Sequence, residues 1–173
     1  MAGAVRRPDL WGLWPDVGLM LALPRLFSLL RGGDDKALDD LGPRFDLVLV
    51  DAPCTGTGTW RRRPDAKWRL KPQSVAERQS EQREVLTRAA RLVKPGGTIA
   101  FITCSILPGE NTEQVGWFLE THAGFSVIPV QGLWQDRLGT DFPGSANGSS
   151  DTLLLTPAFH GTDGFFLALL KKG

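Results

Sequence analysis

The chain has 173 residues, of which 42% are hydrophobic, and its 20 basic side chains nearly balance its 19 acidic ones. This length fits one ordinary domain and excludes a large multidomain enzyme. A charged fraction of 23% excludes wholesale disorder and a bundle of membrane-spanning helices. The apolar run from Val17 to Leu23 is far shorter than the roughly 20 residues that span a bilayer. We therefore expect a cytoplasmic protein without a membrane segment.

The two cysteines, Cys54 and Cys104, limit the kinds of site that the chain can build. A single pair cannot form the disulfide framework of a small secreted protein. No zinc-type Cys-x-x-Cys pair and no histidine cluster accompanies them, so no metal is expected. The sequence predicts two free thiols in a reducing compartment.

Residues 1–43 differ in character from the rest of the chain. Trp11, Trp14 and two nearby prolines, Pro8 and Pro15, interrupt them, and their hydrophobic residues follow neither a helical nor a strand period. This pattern indicates an atypical leader with at most a peripheral helix.

From Arg44 onward, apolar runs typical of strands alternate with helical patterns. Ser74 with Glu77, and Asn111 with Gln114, predict the capped starts of two helices. The predicted strands are Phe45 to Asp51, Thr98 to Thr103, Phe125 to Val130, Thr152 to Thr156 and Gly164 to Leu170. Such alternation favours an α/β fold with a mostly parallel sheet, and the short link between the last two strands favours an antiparallel carboxyl-terminal edge.

Chemically active side chains follow the first two of these strands. Asp51 and Cys54 lie where the first strand ends, and Cys104 follows the second. Ligands of an open parallel sheet bind beyond the carboxyl ends of its strands, and neighbouring strands lie only about 4.8 Å apart. If the two strands are neighbours, both thiols open onto one crevice. The alternative is that each cysteine is a small buried hydrophobic residue and that Asp51 caps a turn.

A basic segment follows the first cysteine. Residues 60–71 contain six basic side chains and one acidic one, a local charge of +5, so the other 161 residues sum to −4. Basic groups interleaved with the indoles of Trp60 and Trp68 suit phosphate neutralisation and base stacking. The alternative is an ordinary solvated loop, with the two tryptophans in the core.

Together these motifs resemble the Sun (Fmu) family of S-adenosylmethionine-dependent RNA cytosine-5 methyltransferases. The nearest likeness is its bacterial branch that modifies the 16S ribosomal RNA of the small subunit (methyltransferase B), and it covers about Arg44 to Lys172. The segments that carry the resemblance are DAPCTG (51–56), RRPD (62–65) with Lys67 and Trp68, LVKPGG (92–97), TCS (103–105), Glu110 with Asn111, and the terminal HGTDGFF (160–166).

The resemblance implies the fold and the roles of individual residues. It implies a Rossmann-like methyltransferase sheet in which Cys104, the cysteine after a threonine, bonds covalently to cytosine. Cys54, the Pro-Cys cysteine, would assist product release, whereas DNA cytosine-5 methyltransferases use the Pro-Cys cysteine as nucleophile. Asp51 would face the exocyclic amine of cytosine, the cofactor, or both. Pro53 would join Asp51 at the cofactor, and the RNA contacts would be Arg61, Arg62, Arg63, Lys67 and Trp68.

One part of the resembled family is missing. Its cofactor-binding half, with a glycine-rich turn between a strand and a helix, should precede Phe45. Gly32 and Gly33 are the only candidates, and no predicted strand precedes them. We therefore expect residues 44–173 to be the carboxyl-terminal half of a catalytic domain, truncated and binding the cofactor poorly.

Two alternatives remain open from sequence. The chain could be an inactive module that binds RNA through residues 60–71, and a thiol redox protein is disfavoured because no Cys-x-x-Cys pair is present. A truncated sheet would also leave its first strand unpaired, and such an open edge favours self-association.

Overall fold

The computed structural model describes residues 19–23, 26–29 and 39–173. Seven strands in these residues form one sheet with the order β2-β1-β3-β4-β7-β5, and β6 pairs with β7 beside this path. The strands are β1 (Leu19–Leu23), β2 (Leu26–Leu29), β3 (Phe45–Asp51), β4 (Val93–Thr103), β5 (Phe125–Ile128), β6 (Leu153–Leu155) and β7 (Phe165–Lys172).

The sheet carries helices between its strands, as an α/β fold requires. They are α1 (Ala66–Arg69), α2 (Ser74–Leu92), α3 (Thr112–Thr121), α4 (Val130–Leu138) and α5 (Pro157–His160), together with 3₁₀ turns at Thr57–Thr59 and Pro108–Glu110. The sequence predicted α2 and α3 but not the short helices α1, α4 and α5. None of the helices in these described ranges is both long and apolar enough to cross a bilayer.

The directions of the strands confirm the predicted sheet. β3 and β4 pair in parallel, and β2, β5 and β6 run the same way. The two reversed strands are β1 and β7, and β7 pairs antiparallel with β4, β5 and β6. The carboxyl-terminal side of the sheet is therefore antiparallel, with the reversed strand inside it and the short β5 at its end.

The strand at the other side of the sheet corrects one expectation. β1 pairs antiparallel with β3, with Leu19 opposite Val50 and Ala22 opposite Leu47. The edge of β3 is thus occupied rather than open, and β2 is the outer strand of the described sheet on this side. Part of the leader is consequently strand rather than peripheral helix. The prolines and tryptophans at 8–15 and the glycine pair at 32–33 lie outside the described residues.

The core forms where the central strands meet α2 and α3. Val48, Val50, Ile99 and Phe101 of the central strands are fully buried against α2, which contributes Leu86 and neighbouring apolar residues. Burying one such side chain stabilises the fold by about 1.5–3 kcal/mol. This rigid parallel pair holds the two strand ends at which the candidate site lies.

The predicted helix caps are wrong in detail. Gln73, not Ser74, occupies the N-cap position of α2 and makes no side-chain capping bond, and the hydroxyl of Ser74 accepts a hydrogen bond from the Lys71 amide. Asn111 does precede α3, but its side chain makes no capping bond. Its amide group bonds within the candidate site.

Candidate active site

The two cysteines meet at one edge of the sheet. β3 and β4 lie side by side and in register, with Asp51 opposite Ile102, so the loops after both strands leave at the same edge. The sulfur of Cys54 lies 3.3 Å from the sulfur of Cys104, and both residues are half-buried free thiols. The predicted convergence is confirmed.

The environment of the two thiols makes them unequal. The hydrogen bond from Cys54 lowers the pKa of Cys104 to about 7, although burial and the negative charges of Asp51 and Glu110 oppose this shift. The same hydrogen bond, with burial, raises the pKa of Cys54. The directions of the two shifts make Cys104 the more acidic thiol of the pair, with Cys54 as the donor of the hydrogen bond between them.

Asp51 and Pro53 lie directly beside the thiols. Asp51 is the last residue of β3, and partial burial raises the pKa of its carboxyl group. Pro53 is half-exposed in the loop between Asp51 and Cys54. Both residues lie at the same edge of the sheet as the thiols, where their predicted contacts with cofactor or base would have to form. Across residues 19–23, 26–29 and 39–173, no group of three or more His, Cys, Asp or Glu side chains is placed to hold a metal ion.

A buried carboxylate joins the two loops next to Cys54. Glu110 is fully buried, and its carboxylate accepts a 2.8 Å hydrogen bond from the backbone N–H of Thr55. It also accepts a 2.6 Å bond from the Thr55 hydroxyl. The sequence indicated Glu110 only as part of a family motif. Its position ahead of a helix did not single it out, because an acidic residue there commonly interacts with the helix dipole.

A second set of bonds joins the loops on the far side of Gly56. The hydroxyl of buried Thr57 lies 2.9 Å from that of Ser105 and accepts a 3.0 Å bond from the backbone of Ile106. The backbone N–H of Gly58 donates to the carbonyl of Cys104 at 2.9 Å. The two loops therefore form one hydrogen-bonded unit around the thiols.

Asn111 fixes the end of β4 just before the nucleophile candidate. Its side-chain oxygen accepts a 2.6 Å bond from the Thr103 hydroxyl, and its amide donates to the Ser105 carbonyl at 2.9 Å. All three residues are buried. Cys104 is consequently held from both sides by a satisfied polar network, which is costly to disrupt.

The loop before β7 packs directly on the Cys54 loop. The N–H of Gly164 donates to the carbonyl of Gly58 at 2.8 Å, and a Cβ added at Gly58 would lie only 2.2 Å from the Gly164 carbonyl oxygen. Only glycine fits this approach of two backbones. The neighbouring Asp163 carboxylate pairs with Arg61 at 3.1 Å and with Arg62 at 2.5 Å.

These ion pairs divide the predicted RNA contacts into two groups. Arg61 and Arg62 are tied to Asp163, whose pKa they lower, so part of their charge is already balanced. Arg63, Lys67 and Trp68 lie on the surface. Trp68 is 80% exposed, with the Lys67 ammonium 4.6 Å from its ring centre, which excludes a core role for this tryptophan. Trp60 is half-buried, and its indole N–H lacks a partner among the described residues.

Comparison with known proteins identifies the relatives of this chain. A sequence profile described as 16S rRNA methyltransferase RsmB/F matches residues 26–171. A protein of Erwinia tasmaniensis named ribosomal RNA small subunit methyltransferase B is 39% identical over 129 residues, which are 75% of this chain and 27% of that protein. The protein of the same name from Shewanella oneidensis is 38% identical over 144 residues, which are 81% of this chain and 30% of that protein.

A solved structure shows the same fold. The crystal structure of NSun6 from Pyrococcus horikoshii with SFG superposes with a TM-score of 0.63 at 25% identity, over 82% of this chain and 33% of that one. The chain thus spans no more than about a third of the length of these relatives. The mixed sheet described above is accordingly part of a Rossmann-like methyltransferase fold. Since the profile match extends over residues 26–171, the chain belongs to the 16S rRNA methyltransferase RsmB/F family.

Proposed function

We propose that this chain carries the catalytic site of an S-adenosylmethionine-dependent RNA cytosine-5 methyltransferase that acts on ribosomal RNA. The observation that carries the proposal is the 3.3 Å contact between Cys54 and Cys104 at the carboxyl ends of two parallel strands. In this proposal residues 44–173 are the carboxyl-terminal half of the catalytic domain, and the leader of residues 1–43 contributes β1 and β2 to the same sheet. The site of action is the cytoplasm.

Cys104 is the nucleophile in this scheme. Carbon 5 of cytosine is a weak nucleophile. Addition of the Cys104 thiolate to carbon 6 converts the ring into an enamine, and carbon 5 of this enamine then attacks the methyl group of the cofactor. A pKa of about 7 means that roughly half of Cys104 is thiolate at neutral pH, so no strong base is needed to activate it. This is the chemical reason for assigning the bond-forming role to the cysteine with the lowered pKa.

Cys54 acts when the product leaves. After methylation the carbon-5 proton is lost to a base, the carbon–sulfur bond breaks, and Cys104 departs as a thiolate. A hydrogen bond from the Cys54 thiol stabilises the departing thiolate, and the contact between the two sulfurs is placed for this donation. The DNA-type assignment makes the Pro-Cys cysteine the nucleophile, whereas the opposite shifts of the two thiols favour Cys104 in that role.

The residues near the thiols fit one part of the cofactor. The Asp51 carboxylate, at the open end of β3, suits a cationic group, and the adjacent Pro53 supplies an apolar surface. S-adenosylmethionine supplies an electrophilic methyl group when bound. In this proposal Asp51 and Pro53 meet only one part of the cofactor, so we expect these two residues by themselves to hold it weakly. Micromolar affinity in a calorimetric titration would contradict this expectation.

The substrate side of the site is assigned to the basic segment. Arg63 and Lys67 offer positive charge to the phosphate backbone, and the exposed indole of Trp68 offers a stacking surface for an unpaired base. Arg61 and Arg62 contribute to the same surface but share their charge with Asp163. A target cytosine must leave its stack to reach thiols that are half-buried.

The experiment compares one substitution at two positions. The purified chain and its Cys104→Ser and Cys54→Ser variants are incubated with methyl-labelled S-adenosylmethionine and small-subunit ribosomal RNA. We expect Cys104→Ser to abolish methyl transfer and Cys54→Ser to leave an RNA adduct that survives denaturing electrophoresis. Methyl transfer by Cys104→Ser, or free turnover by Cys54→Ser, would contradict the assignment. RNA binding by the unsubstituted chain without methyl transfer would favour the inactive RNA-binding module instead.

A further inference from the structure

The buried Glu110 has no role in the scheme above. It is fully buried between the loops after β3 and β4, and its carboxylate accepts both polar hydrogens of Thr55, from the backbone at 2.8 Å and from the hydroxyl at 2.6 Å. A buried carboxylate is unfavourable unless it is fully hydrogen-bonded. Burying such a group costs more free energy than burying an apolar residue of similar volume. We therefore expect its position beside Thr55, the residue after Cys54, to serve the site.

We propose that Glu110 is a positioning residue that holds the Cys54 thiol against Cys104 by clamping Thr55. The inference rests on the proposed function, because it concerns the cysteine assigned to product release. Thr55 follows Cys54 directly, so the two hydrogen bonds fix both the peptide and the side chain adjacent to the thiol.

Gly56 separates Cys54 from the other contacts between the two loops, so those contacts do not fix the position of the thiol. The bonds of Thr57 and Gly58 to the β4 loop hold the chain beyond Gly56, which adopts a φ of 69°. Glycine is the residue that changes such a conformation most freely. On the Cys54 side of Gly56, Thr55 is held across the loops by Glu110, and a hydrogen bond between sulfurs 3.3 Å apart weakens with small displacements.

Glu110 affects the pKa of Cys104 in two opposite ways, through its negative charge and through its positioning of Cys54. The groups that set the protonation of Cys104 are the Cys54 thiol, the Asp51 carboxylate and the Glu110 carboxylate itself. Removing the Glu110 charge alone would make Cys104 a stronger acid, because that charge raises the pKa of Cys104. Losing the Cys54 hydrogen bond would make it a weaker acid. The sign of the change therefore separates the two effects.

Thr55→Val provides the cleanest test because it removes one bond of the clamp and leaves the charge in place. Alkylation of Cys104 by iodoacetamide is followed by mass spectrometry over a wide pH range in the unsubstituted chain and in Thr55→Val, Thr55→Ser and Glu110→Gln. We expect Thr55→Val to move the alkylation midpoint to higher pH and to slow the reaction at neutral pH by about two- to fivefold, less than complete loss of the Cys54 hydrogen bond would. Thr55→Ser, which keeps the hydroxyl, should stay within about twofold of the unsubstituted chain on the same scale.

Two outcomes would overturn the positioning role. The first is an unchanged midpoint in Thr55→Val, including the case in which only its unfolding midpoint falls, as a purely structural bond would predict. The second is faster alkylation in Glu110→Gln, which would show that only the charge matters. If Glu110→Gln does not fold, the isosteric Thr55→Val and its serine control still decide the question.

This experiment is independent of the proposed activity. Alkylation needs neither RNA nor cofactor, so it reports on the clamp even if the chain transfers no methyl group. With both substrates present, we expect Thr55→Val to accumulate the same RNA adduct as Cys54→Ser, at a lower level. Adduct with Cys54→Ser but unchanged alkylation and no adduct with Thr55→Val would refute the clamp and leave the proposed function intact.

Discussion

Replacing Cys54 by alanine tests the electrostatic asymmetry of the thiol pair. The variant removes the hydrogen bond that is the largest cause of the lowered pKa of Cys104, and it leaves burial and the Asp51 and Glu110 charges, which all raise that pKa. We therefore expect the pKa of Cys104 to return from about 7 to its ordinary value of 9.0 or above. Because the chain has two cysteines, the variant also leaves Cys104 as its single thiol.

The size of the effect follows from the fraction of thiolate. At pH 7 this fraction falls from about one half to about 1%, a factor of about fifty. A more basic thiolate is also a better nucleophile, and over two pKa units this recovers about six- to tenfold. The net alkylation rate at pH 7 should fall about five- to eightfold, whereas at high pH the variant should react faster than the unsubstituted chain. The two pH–rate curves should therefore cross.

The assay is iodoacetamide alkylation of Cys104, resolved by mass spectrometry and repeated across the pH range. Cys54→Ser is the matched control, because its hydroxyl keeps a hydrogen-bond donor and should give a smaller shift. A Cys54→Ala curve with its midpoint still near pH 7, and no crossing, would refute the reasoning. In that case the acidity of Cys104 would have another source.

Three further predictions concern the packing, the RNA surface and the sheet edge. Gly58→Ala should lower the free energy of unfolding, measured by urea titration, by about 1–3 kcal/mol or more, because its methyl group would meet the Gly164 backbone. Gly116→Ala adds a methyl group in open space on α3, so it should instead raise the free energy of unfolding by up to about 1 kcal/mol. Trp68→Ala should weaken single-stranded RNA binding by about 1–3 kcal/mol, and Arg63→Ala should reduce its salt dependence by about one phosphate contact, both measured by fluorescence titration. An unchanged salt slope would remove Arg63 from the RNA surface. Light scattering should detect self-association through β2, the end strand of the sheet in the described residues, and a monomer at all concentrations would contradict it.

The convergence of the two thiols could be predicted from sequence because it depends on a general property of parallel strands. Apolar runs indicated β3 and β4, and the carboxyl ends of neighbouring parallel strands share one edge of the sheet. Which cysteine is the thiolate could not be predicted from spacing. It depends on a 3.3 Å contact and on the depth of burial, and neither is encoded locally.

Two of the contacts that the sequence did not predict join distant parts of the chain. Glu110 reaches Thr55 across 55 positions, and Asp163 reaches Arg62 across 101, so no local pattern signals either pair. Asn111 was interpreted as a helix cap because that is the common role of asparagine before a helix, but its partners lie at the end of β4. β1 was missed because its residues show no alternation of apolar and polar side chains.

Locating the covalent bond between protein and RNA tests the central claim most directly. RNA that carries 5-fluorocytosine cannot release the carbon-5 substituent as a proton, so the enzyme stays attached after methyl transfer. Mass spectrometry of the digested adduct then identifies the residue that bears the nucleotide. The account predicts the nucleotide on Cys104, in the unsubstituted chain and in Cys54→Ser, and no adduct in Cys104→Ser. A nucleotide on Cys54, or an adduct that persists in Cys104→Ser, would contradict it.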